Sequence, residues 1–90
     1  CDCRDFSLKD QMTRAAVSIP SNIAEGAERV SVREFSRFLY IARGSAAELR
    51  TQLYIADKIG IINSVVARNL ISEVSEISAM IRGLAKSLKT

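Results

Sequence analysis

Between Val32 and Ala56, apolar residues recur with the spacing 3-4-3-4-3-4-3, through Phe35, Leu39, Ala42, Ala46, Leu49 and Leu53. A strand alternates every second residue and a loop keeps no period. Only a helix brings positions three and four apart onto one face. An unbroken seam of this length belongs to a helix packed lengthwise against other helices. Ser31 stands where an N-cap is needed, and Glu34 three residues later completes a capping box. Gly60 supplies a stop. The spacing predicts a helix over Val32 to Lys58, roughly 40 Å long at ~1.5 Å per residue.

The same alternation returns near the C-terminus through Ala67, Leu70, Val74, Ile77, Ile81, Leu84 and Leu88, with Asn63 or Ser64 as its cap. Arg82, Lys86 and Lys89 fall in its last third, where the helix dipole favours cations. The connection from Gly60 to Asn63 is short, and short connections make antiparallel neighbours. Upstream, Leu8, Met12, Ala16, Ile19 and Ile23 mark one apolar face. Ser7 is the expected cap, Asp10 sits at the third position, and Gly26 is the expected stop. Pro20 lies inside this pattern without breaking its phase, so one kinked helix from Leu8 to Ala24 is expected. The fold class is therefore all-α: an up-and-down antiparallel bundle forming a single domain over residues 1–90.

Beside the seams stand further apolar residues: Phe38, Ile41, Tyr54 and Ile55 in the middle helix, and Val66, Ile71 and Met80 in the last. Three helices cannot cover so many apolar faces. The excess asks for a fourth helix, from an upstream segment or from another copy of the chain.

Composition removes several function classes. With 48% hydrophobic and 26% charged residues, the chain can build a core and is not a disordered tail. It has no histidine, so histidine triads, histidine-type zinc sites and Glu-x-x-His di-iron bundles are excluded. Cys1 and Cys3 lack any partner with which to complete a metal site. They read as reduced thiols at a frayed end. Glu73 and Glu76 lie three apart and read as a solvated face. No metal, cofactor or catalytic residue is expected. No apolar run approaches the ~18 residues of a membrane span, and no signal peptide is expected. A cytoplasmic protein without membrane contact is expected. The balance of 13 basic against 10 acidic residues permits an anionic partner without demanding one.

The run Ser18-Ile19-Pro20-Ser21-Asn22-Ile23-Ala24-Glu25-Gly26 resembles the signature of the 23S rRNA-intervening sequence protein family, also known as S23 ribosomal proteins. The resemblance continues through Glu34-Phe35, Phe38-Leu39-Tyr40-Ile41-Ala42, Gly44-Ser45, Glu48-Leu49 and Thr51-Gln52-Leu53, and covers roughly Leu8 to Leu88. It implies a small bacterial four-helix bundle. Family members usually carry one more amphipathic helix before the segment that starts here near Phe6, where this chain has only Cys1 to Asp5. The resemblance also implies a homopentamer around a central channel. The family name records where the genes sit, within sequences inserted in 23S rRNA genes, and is not an activity. A similar bundle, the accessory protein of diversity-generating retroelements, binds nucleic acid and a reverse transcriptase, which makes nucleic-acid association the leading analogy.

Within the signature run, Pro20, Ser21, Asn22, Glu25 and Gly26 are assigned to structure and assembly. The polar members Ser21, Asn22 and Glu25 are expected to satisfy backbone or helix-end donors around the Pro20 kink and the Gly26 stop. Gly44, in mid-helix, is expected to mark close approach of the small-residue face Ala15, Ala16 and Ala24. Arg29, Arg33 and Arg37 follow one another at i, i+4, a mildly destabilising arrangement that Glu25, Glu28 or Glu34 can offset. Arg43 and Arg50 lie seven apart on one stripe. On a single subunit these arginines are an ordinary solvated surface; repeated around a ring they become a strong field. Arg33, Arg37, Arg43 and Arg50 are the candidate nucleic-acid contacts. Phe35 and Phe38 are needed for packing, so only Tyr40 and Tyr54 remain for stacking. Phosphate-dominated contact is therefore expected. The expected function is a non-enzymatic homo-oligomer that binds RNA or DNA weakly. The alternative is a protein–protein adaptor that binds no nucleic acid.

Overall fold

The computed structural model describes residues 3–88, and the side chains of residues 6–88. They form helices α1 (Cys3–Ala27), α2 (Val32–Lys58) and α3 (Ser64–Ser87), with no strand among the described residues. The expected all-α architecture is therefore present, as a slab of 47 × 22 × 13 Å. The expectations for Cys1, for the side chain of Cys3 and for Lys89 lie outside the described residues.

The bounds of α2 are those the seam predicts, and its capping follows from the sequence. The Ser31 hydroxyl accepts from the Glu34 backbone N–H at 3.0 Å. The Glu34 carboxylate lies 3.4 Å from the Ser31 hydroxyl. At the other end Gly60 takes φ +79°, a conformation that costs a residue with a side chain far more. Ile61 N–H then donates to Ala56 C=O at 3.0 Å and Gly60 N–H to Asp57 C=O at 3.1 Å. Those paired bonds are a Schellman closure. Asn63 caps α3, its side-chain oxygen accepting from the N–H groups of Val65 and Val66. Ser64 instead donates to the Asp57 carboxylate at 2.6 Å, tying the start of α3 to the end of α2.

Helix α1 departs from expectation at both ends. Ser7 is no cap: the helix begins at Cys3 and runs through it, because nothing before Ser7 breaks a helix. Asp10 instead pairs with Arg14 one turn on, at 3.1 Å in an exposed setting, where such pairs contribute little. Pro20 sits inside the helix as expected. Gly26 does not stop it. Gly26 is buried against α2, and a Cβ there would lie 2.7 Å from Phe38 Cβ and 2.9 Å from Phe35 Cδ1. The glycine lets two helices approach; α1 ends a residue later.

Gly44 was the position expected to serve that purpose, and it does not. A Cβ on Gly44 would meet nothing within 4 Å. Its neighbour Ser45 makes the contact with α1, its hydroxyl 2.7 Å from that of Ser18. Ala15 is buried, whereas Ala16 and Ala24 are exposed.

The layers are set by α2. Leu39, Ala42, Ala46 and Ala56 are fully buried and Leu53 nearly so. Residue 18 faces 45 and residue 26 faces 35 and 38, so α1 runs antiparallel to α2. Helix α3 lies antiparallel on the other flank. No Cα of α1 comes within 8 Å of one in α3. Both outer helices thus lean on α2 and leave the corner opposite it open. Only alternate members of the α3 seam are covered: Ala67, Val74 and Ile81 are buried, whereas Leu70, Ile77 and Leu84 keep 38%, 38% and 40% of their surface exposed. Leu49 is likewise only half-buried.

The contrast between glycines is measurable. Gly26→Ala forces Phe35 and Phe38 to move and is expected to destabilise by about 1–3 kcal/mol. Gly83, inside α3 with nothing within 4 Å of its Cβ position, is expected to gain about 1 kcal/mol as alanine from helix propensity. Thermal unfolding of the two variants, followed by circular dichroism, checks both signs.

Candidate functional site

Arg43 and Arg50 lie two turns apart on α2, about 10 Å along its axis. The side of α2 they occupy borders α3, and there the two helices leave a groove of about 450 Å³. Arg82 enters the same groove from α3, beside Ser78, and Tyr40 stands at its edge with Gly44 and Ala47 between the arginines. No carboxylate lines it. The ion pairs among the described residues are Asp10–Arg14 and Glu25–Arg29, so none of the three groove arginines is neutralised by a described neighbour. Three arginines lining one groove without a carboxylate are suited to an anion with more than one phosphate.

Arg33 and Arg37 are exposed but lie outside this groove. Of the i, i+4 series, Arg33 and Arg37 share α2, and Glu25 offsets Arg29 as expected. Arg29 precedes α2, bonds Glu25 and stacks over the Phe38 ring with its guanidinium carbon 5.1 Å from the centroid. Its charge is engaged in holding the α1–α2 turn. The four nominated arginines thus divide two and two. Arg82 was the member missed, because spacing within one helix carries no information about which residue of another helix it will face.

The signature run occupies the opposite flank. Asn22 donates from its side-chain amide to the Ser18 carbonyl at 2.8 Å and to the Ser18 hydroxyl at 2.9 Å. Ser18 in turn meets Ser45 of α2. This is a continuous polar chain from α1 to α2. Asn22 therefore satisfies an acceptor beside Pro20, where donors were expected to need partners. Glu25 serves Arg29, Gly26 admits the two phenylalanines, and Pro20 and Ser21 are exposed.

A second concavity of about 240 Å³ opens on the free corner of the slab. Its walls are apolar: Met12 and Ala16 from α1, Leu49 and Leu53 from α2, Leu70 and Val74 from α3. Val74 is the single residue that also lines the basic groove. No described helix is long and apolar enough to cross a membrane.

One protein-family model, that of the 23S rRNA-intervening sequence proteins, matches residues 1–83. The chain belongs to that family. No curated protein matches it. For this member of the 23S rRNA-intervening sequence family, the signature run 18–26 lies at the α1–α2 joint, whereas Tyr40, Gly44 and Thr51, which also carry the resemblance, line the groove on the other flank of α2.

The Ser18–Ser45 contact is the joint of that polar chain. In a double-mutant cycle of Ser18→Ala and Ser45→Ala, the coupling is expected at about 0.5–1.5 kcal/mol. Urea unfolding of the four proteins measures it.

Proposed function

We propose that this 23S rRNA-intervening sequence family member is a non-enzymatic homo-oligomer whose α2–α3 grooves hold the phosphates of RNA or DNA. The observation that carries this reading is that Arg43, Arg50 and Arg82 line one groove without a carboxylate. Guanidinium–phosphate contacts position a strand without reading its bases, so binding is weak and indifferent to sequence. The oligomer is supported by the row Leu70, Ile77 and Leu84, seven residues apart and uncovered on the single chain. A row with that period is met by another helix. A pentamer is the number the family resemblance implies. Repeating the groove around a ring multiplies its field.

Two measurements test the parts separately. In a salt titration with a mixed-sequence RNA, affinity falls with salt. The log–log slope is expected to drop by about 2–3 when Arg43, Arg50 and Arg82 are all alanine, at about 0.7–0.9 per phosphate contact. Helix content stays, since alanine is the best helix former. Binding indifferent to salt and to these arginines overturns the nucleic-acid reading. The apolar trough then favours a protein–protein adaptor.

By light scattering the wild-type protein is expected at about five times its 9.9 kDa chain mass. Ile77→Lys is expected to break the assembly while keeping its helices. A wild-type chain that stays monomeric at micromolar concentration overturns the assembly.

A further inference from the structure

The basic groove carries an aromatic edge that phosphate binding alone does not require. Tyr40 lines the groove and is 76% exposed. It precedes Arg43 by nearly one turn, and Tyr54 follows Arg50 by about one turn, 55% exposed. The interval from Tyr40 to Tyr54 is fourteen residues, two heptads, which returns a helix to nearly the same stripe. One side of α2 therefore presents a ring, two arginines and a second ring in order, over about 20 Å. Neither ring belongs to the core, which is built from Ile19, Leu39, Ala42, Ala46, Leu53, Val74 and Ile81. At Gly44, between Tyr40 and Arg50, no side chain raises the groove floor, and a Cβ there would touch nothing within 4 Å.

From this arrangement we infer that the groove selects a single-stranded polynucleotide over a duplex, with Tyr40 and then Tyr54 as base-stacking platforms. In a duplex the base faces are already stacked on one another, and only phosphates and groove edges are offered to protein. An unpaired strand offers both: its phosphates to the arginines and its base faces to the tyrosines. Aromatic platforms interleaved with basic residues are the general means of holding a single strand without reading its sequence. This inference rests on the phosphate-binding reading above and adds strandedness to it.

The chain itself provides the reporter. It has two tyrosines and no tryptophan, so its intrinsic fluorescence is tyrosine emission, which base stacking quenches. The experiment titrates the full chain with a single-stranded RNA, a single-stranded DNA and a duplex of equal length, following tyrosine emission and the anisotropy of a labelled strand. Both single strands are expected to bind roughly tenfold or more tightly than the duplex and to quench the emission. Tyr54→Phe leaves Tyr40 as the sole emitter, and its quenching is expected to persist. Tyr40→Leu is expected to lose most of the single-strand preference while keeping the salt slope. Tyr40→Phe is expected to restore the preference.

Failure of this inference is distinct from failure of phosphate binding. Salt-dependent binding with equal affinity for single strand and duplex, or with unchanged tyrosine emission, overturns strandedness alone. A Tyr40→Leu protein with the wild-type preference does the same. If acrylamide cannot reach Tyr40 in the free assembly, the ring belongs to a subunit contact and the proposal falls. No binding at ~50 mM salt overturns both readings.

Discussion

Everything in this molecule hangs on the close fit along α2, where three alanines with no exposed surface, Ala42, Ala46 and Ala56, stand among Leu39 and Leu53. Small residues at a contact let helix axes approach toward the near end of the usual 8–10 Å range. Helix α2 packs on two flanks at once. Toward α1 it offers Ser45, Phe35 and Phe38, the last two against Gly26. Toward α3 it offers the Arg43, Ala47 and Arg50 side. With both flanks taken, the corner opposite α2 is left to whatever else the chain or its copies supply.

How much of this could be read beforehand depends on whether a feature is local. The bounds of α2, its serine cap, the Gly60 closure and the Asn63 cap are decided within a few residues and were legible. The glycines were not. Gly26 and Gly44 look alike in sequence, one near a helix end and one in mid-helix. Which of them meets a neighbour depends on the rotation of α1 against α2, a property of two segments together. The same limit hid Arg82 behind its own helix, although Arg43 and Arg50 were correctly placed on one stripe. The α3 seam was legible as a period; the exposure of Leu70, Ile77 and Leu84 depends on what packs there, which a period does not state.

The apolar trough and the basic groove sit on different sides of α3, with Val74 as their common wall. A helix laid into the trough would bury Leu70 without entering the space between Arg43 and Arg82. Covering apolar surface and meeting an anion are thereby separable in this fold. The family signature serves neither face directly. Asn22, Ser18 and Ser45 fix the α1–α2 joint.

The absence of any close backbone approach between α1 and α3 has a consequence for how the chain finds its fold. The helix pairs whose backbones approach, α1 with α2 and α2 with α3, are each joined by a short connection, so each can form as a hairpin. The entropy of closing long loops is avoided, and such topologies are among the fastest to form. On the ribosome, α1 and α2 can close as a hairpin while α3 is still being made. The energetics resemble those of a stacked repeat array, in which each element answers only to its neighbours.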